Sequence, residues 1–202
     1  MMEQSTQLKY LSDKIDGKGF KPSINLDRPI FIQPEDRISY RSCRVLLILG
    51  MLNTKNGLSK EVVACMDFLL RNPAYRKKFI VEYYKDQTNF IKKLDSYNPS
   101  NNYEIDFNIV QYKSVPWDLR FNDMFLFLYI RKYILFKGAK PNLRVIISEE
   151  GEKKNELLKT IFIEEVNFLE IFGSKLSEDK AISIITDVIP NSYWKENEKF
   201  NY

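Results

Sequence analysis

The residues that could do chemistry in this chain are few, and one type is missing. There is no histidine in 202 residues. That removes Ser-His-Asp and Cys-His triads, imidazole metal ligands and the usual general base near neutral pH. The two cysteines, Cys43 and Cys65, sit inside apolar helical runs, where a free cysteine behaves as a small core residue. They predict a reducing compartment rather than a disulfide framework. Glu149, Glu150, Glu152 and Glu156 are close enough to suggest a metal cluster. With Lys153, Lys154 and Lys159 among them, they read better as the solvated start of a helix whose positive end favours acids. Asp67, inside the apolar run MDFLLR, is expected to pair with Arg41 or Arg44 of the preceding helix as a structural ion pair. The seven glycines form neither a phosphate-binding loop nor a dinucleotide fingerprint. No catalytic, cofactor-binding or metal-ligating residue is assigned, and a small enzyme working through Asp/Glu and Lys is the least favoured class.

What remains is binding chemistry. Arg131, Lys132, Lys137, Lys140 and Arg144 lie across a helix end and a hairpin. Cations so placed can contact a phosphate backbone and release its counterions. The competing reading is a solvated hairpin whose lysines protect an exposed edge. The helix before the hairpin, FNDMFLFLYI, offers few of the polar side chains that read base edges, so direct base recognition is not expected. Residues 71–93 interleave seven basic and two acidic residues with Phe79, Tyr83, Tyr84 and Phe90. This mixture suits single-strand stacking or, more simply, an amphipathic helix with rings inward and lysines outward. Residues 120–144 carry six basic residues against Asp123, whereas 149–180 carry nine acidic against five basic. The net charge of +4 therefore conceals a basic middle and an acidic C-terminal quarter.

The elements that position these residues follow from periodicity and punctuation. Residues 1–35 hold Gly17, Gly19, Pro22, Pro29 and Pro34 and read as an extended N-terminal segment, with a short edge strand at 29–32. Apolar spacing predicts a central helix over 36–53. A turn at Thr54 to Gly57 leads to a second helix capped by Ser59 and stopped at Asn72 by Pro73. A third helix is expected from Ala74 to about Leu94, a break at 98–102 and an extended stretch over 103–115. Pro116 and Trp117 are expected to open a helix over about 118–133. Alternating apolar residues in ILFK and LRVIIS around a Gly- and Pro-containing turn then make a hairpin. A helix from Glu149 or Glu150 runs with an interruption to about Gly173, and Ser177 starts a last helix ending by Pro190. Residues 191–202 read as a ragged tail.

The fold class expected is α+β, mainly α-helical: a winged helix-turn-helix-like domain over 36–190, with an insertion at about 74–115 and a C-terminal helical extension. The 14 Phe and 12 Tyr are expected in the core or at interfaces. No apolar run approaches the roughly 18 residues that a membrane span requires, and MMEQSTQLKY has no signal-peptide core. A cytoplasmic protein is expected.

The succession of Arg41 and Arg44 on an apolar first helix, then Met66, Asp67, Phe68, Leu69 and Leu70, then FLYIRKYILF at 127–136, then Ser148, Glu149, Glu150 and Gly151 resembles the middle components of ABC-three-component bacterial defence systems of the Lamassu type. The likeness spans about 34–70 and 118–190, and the sequence departs from the pattern at 74–115. The resemblance implies a non-enzymatic winged-helix subunit. Its partners would be an SMC- or Rad50-like ATPase and a nuclease-type effector, with double-stranded DNA reached through the complex. The alternative is a stand-alone winged-helix DNA-binding transcriptional regulator, which would form a symmetric dimer.

Overall fold

Residues 37–52, 56–87, 109–139, 142–191 and 193–194 are described by the computed structural model. All belong to one compact unit, Pro34–Tyr202. The expected N-terminal segment, the break at 98–102 and most of the tail fall outside the described residues.

The element order is α1 (Ile38–Met51), β1 (Leu58–Ser59), α2 (Lys60–Arg71), α3 (Pro73–Tyr83), β2 (Ile109–Tyr112), β3 (Val115–Asp118), α4 (Phe121–Ile130), β4 (Ile134–Lys137), β5 (Arg144–Ile147), α5 (Glu149–Lys159), α6 (Ile163–Glu170) and α7 (Glu178–Val188). The chain is α+β and mainly helical. Its three-stranded antiparallel sheet has the order β1-β5-β4, with Leu58 opposite Val145 and Ile134 opposite Ile147. A separate hairpin pairs β2 with β3.

Helix α1 packs against α2, α4, α5, α6 and β5 and is the hub of the core. Residues Val45 to Leu49 are all buried, which is why their apolar run has no polar face. Ser59 begins α2 as expected, its Oγ accepting from Val62 N at 3.3 Å. Ser148 begins α5 likewise, accepting from Gly151 N at 3.1 Å. Gly151 is required by packing: a Cβ there would lie 2.1 Å from the Tyr133 carbonyl oxygen. The glutamates at this helix start pair along the surface, Glu150 with Lys153 and Glu156 with Lys159, both at 2.6 Å.

Three expectations are corrected. First, residues 116–118 are not a helix start. Lys113 and Ser114 adopt positive φ, 48° and 65°, forming a two-residue turn that folds Val115–Asp118 back on Ile109–Tyr112. Two positive-φ turn residues match the twist of a hairpin, so α4 begins only at Phe121. Second, α3 ends at Tyr83, followed by a turn; its Phe79 and Tyr83 are buried and its Lys77 and Lys78 exposed, as an amphipathic helix requires. Arg76 is buried; its Nε and Nη2 donate to the carbonyls of Leu69 and Leu70 at 2.8 and 2.7 Å. These carbonyls belong to the last turn of α2, whose C-terminal acceptors need donors. Lys78 similarly donates to the carbonyls of Asp187 and Val188 at the end of α7. Third, the tail begins in order: Tyr193 is buried and meets Phe68 edge-on at 5.5 Å.

Cys65 is wholly buried, which pushes its thiol well above the usual range. Cys43 is half-buried and donates to the Ser39 carbonyl at 3.2 Å.

Candidate interaction face and its buried support

Helix α4 divides cleanly. Phe121, Met124, Phe125 and Leu128 are buried, one above another at helical spacing. The opposite side carries Leu126, Tyr129 and Ile130, exposed by 56%, 50% and 67%. Leu135 on β4 is also exposed, and Tyr129 meets Phe136 of that strand at 5.5 Å. Four large apolar residues thus stand open on α4 and the neighbouring strand. Leu126, Tyr129 and Ile130 share one side of α4 at helical spacing, and grouped exposed apolar residues mark contact sites more often than scattered single ones do.

The sequence-derived basic residues border this face unevenly. Arg131 follows the last turn of α4, exposed, with its guanidinium 5.4 Å from the Phe127 ring centre. Lys132 is exposed at φ 60°, and its carbonyl accepts from Ser148 Oγ at 2.5 Å. Lys137 is exposed at the end of β4. Lys140 lies outside the described residues. Arg144 has a different role. Its Nε donates to the Asn56 carbonyl at 3.0 Å, and its Nη2 donates to the Gly57 carbonyl at 2.8 Å and pairs with Glu178. Glu178 also accepts from Ser59 N at 3.0 Å. Arg144 therefore ties the hairpin to the turn before β1 and to α7. Its guanidinium is committed within the chain.

Between α1, α2 and β3 lies a group of buried charges that the sequence pointed to only in part. Arg41 and Arg44 of α1, Asp67 and Arg71 of α2, and Asp118 of β3 are each at most 3% exposed. Arg44 Nε and Arg71 Nε each approach Asp67 at 3.0 Å, and Arg71 Nη1 reaches Asp118 at 3.0 Å. Arg41 pairs with Asp118. The Asp67–Arg44 pairing matches expectation; the Arg41–Asp118 pairing links α1 to a strand that was not foreseen. Burial opposes charge on Asp67, but Arg71 and Arg44 outweigh it and hold its carboxyl below the usual range. Burial, aided by repulsion from Arg71, brings the Arg41 guanidinium down to about 10. Three cations against two carboxylates anchor the β2–β3 hairpin to both central helices, so this group is structural.

Beside the N-terminus of α4, the same hairpin bounds a cleft of about 520 Å3. Lys60 and Glu61 at the start of α2, Tyr112, Lys113, Trp117 and Asn122 line it. The sequence reading named Trp117 only as part of a helix start and Asn122 only among the few polar residues of FNDMFLFLYI, and it joined neither to a cleft. Lys113 donates to Glu61 at 3.2 Å, and Tyr112 and Trp117 have ring centres 5.4 Å apart.

Among the described residues, no group of three or more His, Cys, Asp or Glu is placed to hold a metal ion. Nor is any helix among them long and apolar enough to cross a membrane. No protein-family model matches the chain, and comparisons with curated proteins and with solved structures find no significant match.

Proposed function

We propose that this chain is a non-catalytic accessory subunit built on a winged-helix plan, working through protein contacts. The reading is supported by the succession of helix, short strand, helix, then α4 and the β4–β5 hairpin, with the sheet order β1-β5-β4. In that plan α4 takes the place of the recognition helix and β4–β5 that of the wing. Residues 72–120 stand as an insertion between the two halves. The observation that carries the proposal is the outer side of α4. Leu126, Tyr129 and Ile130 stand where a helix reading DNA bases would need Arg, Lys, Asn or Gln. An apolar stripe in that place favours a protein partner.

The partner class follows from the resemblance at Arg41, Arg44, 66–70, 127–136 and 148–151: an SMC- or Rad50-like ATPase, with a nuclease-type effector in the same assembly. ATP hydrolysis and strand cleavage belong to those partners in this reading. Arg131, Lys132 and Lys137 supplement the contact and are the described residues best placed to touch DNA held by the complex.

Co-expression with the products of neighbouring genes, followed by capture of this chain at moderate salt, tests the proposal. Recovery of a stoichiometric large ATPase is the expected result. A lone dimer that retards duplex DNA without any ATPase would overturn it in favour of the regulator.

A further inference from the structure

The cleft between the β2–β3 hairpin and the starts of α2 and α4 is not used by the adaptor reading, and its chemistry is of another kind. Its volume, about 520 Å3, lies within the range of small-ligand sites, roughly 300–1,000 Å3. Two aromatic rings line it: Trp117, half-buried and held against Phe121 at 5.1 Å, and Tyr112, 47% exposed. Trp117 is fixed by its packing, while Tyr112 stands on the open side. Two lysines and one glutamate, Lys60, Lys113 and Glu61, share the lining. Lys60 Nζ sits 5.1 and 5.4 Å from the ring centres of Phe125 and Phe136, which hold it at the edge of the apolar core. Lys113 rests on Glu61. Helix α4 begins here without a side-chain cap, so its positive end adds to the two cations, whereas the start of α2 is already capped by Ser59 and faced by Glu178.

We propose that this cleft binds a nucleotide, its base against Trp117 and Tyr112 and its phosphate at Lys60 and Lys113. Aromatic faces accept any base by stacking, and nearby cations hold the phosphate. The Lys113–Glu61 pair is exposed, and such pairs contribute little. A phosphate can therefore draw Lys113 away at small cost, leaving Glu61 to accept from a ribose hydroxyl or an exocyclic amine. Asn122, exposed on the first turn of α4, supplies both a donor and an acceptor at the same mouth. A free mononucleotide and the phosphorylated end of a single strand present this same chemistry.

Equilibrium dialysis of the isolated full chain against labelled AMP, and against short single strands with a 5′-phosphate or a 5′-hydroxyl, tests the assignment without any partner protein. One saturable site per chain is expected, with a dissociation constant of roughly 0.1 mM or tighter for AMP or for the phosphorylated strand. Binding of AMP identifies the free nucleotide as sufficient; binding of the phosphorylated strand alone identifies the strand end, and either supports the proposal. Tyr112→Ala is expected to weaken binding by about tenfold, the scale of losing one stacked base. Lys113→Gln is expected to weaken it severalfold. Both side chains stand in solvent, so thermal melting of these variants should match wild type. Absence of saturable binding in every arm overturns the proposal. So do binding that survives both substitutions unchanged and inorganic phosphate competing as tightly as AMP.

Discussion

Helices α2 and α4 are both apolar and of similar length, 12 and 10 residues, yet the fold treats them oppositely. Every residue of α2 from Val62 to Arg71 is buried, including Asp67 and Arg71. It lies among α1, α3, α7 and β3, and neighbours on all sides leave it no solvent face. Helix α4 packs chiefly on α1 and keeps one side open. Mean apolarity does not distinguish a helix at the centre from one with an open side. The number of neighbouring elements does. The charges follow the same division: the three arginines of α1 and α2, Arg41, Arg44 and Arg71, are consumed by Asp67 and Asp118, while Arg131, Lys132 and Lys137 border the open stripe.

The largest expected effect belongs to the buried side of this comparison. Asp67→Asn leaves Arg44 and Arg71 without their shared carboxylate and should destabilise the chain by about 3–5 kcal/mol, measured by urea denaturation. The same carboxyl gives the fold an acid limit. Its pKa is held below the unfolded value of about 3.9. Its contribution is therefore complete above that pH and lost as the pH falls through the folded value. Wild type should lose stability below about pH 4 more steeply than Asp67→Asn does; parallel curves would show that Asp67 is not held by its arginines.

Next in size is Gly151→Ala, which drives a Cβ toward the Tyr133 carbonyl and should cost about 1–3 kcal/mol by overpacking, read from the thermal midpoint. Arg144→Ala should cost about 1–3 kcal/mol, because it removes charge-assisted hydrogen bonds and leaves partly buried acceptors behind. A stability change near zero would return Arg144 to the exposed wing cations. The smallest effect on stability belongs to the open side. Ile130→Asp should change unfolding free energy by no more than about 0.5 kcal/mol, while weakening capture of the partner by at least about tenfold, since burying such a side chain is worth about 1.5–3 kcal/mol. A large loss of stability would mean that Ile130 belongs to the core after all.

Much of the helical frame was legible because its signals are local. Ser59 is an N-cap, the glutamates from Glu149 mark the start of α5, Pro73 stops α2, and the β4–β5 hairpin alternates around Gly138. The β2–β3 hairpin was not legible, because Lys113 and Ser114 take positive φ without glycine or asparagine to announce it. With that hairpin unseen, Asp118 had no visible reason to meet Arg41, and the cleft beside Trp117 could not be assembled. The role of Arg144 was hidden for a similar reason. Its partners Asn56, Gly57 and Glu178 lie 88, 87 and 34 residues away, a separation that no local pattern encodes. The amphipathic reading describes the rings and lysines of α3, with Phe79 and Tyr83 buried and Lys77 and Lys78 exposed, but it gave no place to Arg76, which turns inward to cap carbonyls.

The most direct test of the claim that α4 is a docking helix is hydrogen–deuterium exchange on the chain, alone and in the co-purified complex. Slowed exchange concentrated in residues 121–137 is the result the account predicts. Protection confined to other elements, with 121–137 exchanging as fast in the complex as in the free chain, would contradict it.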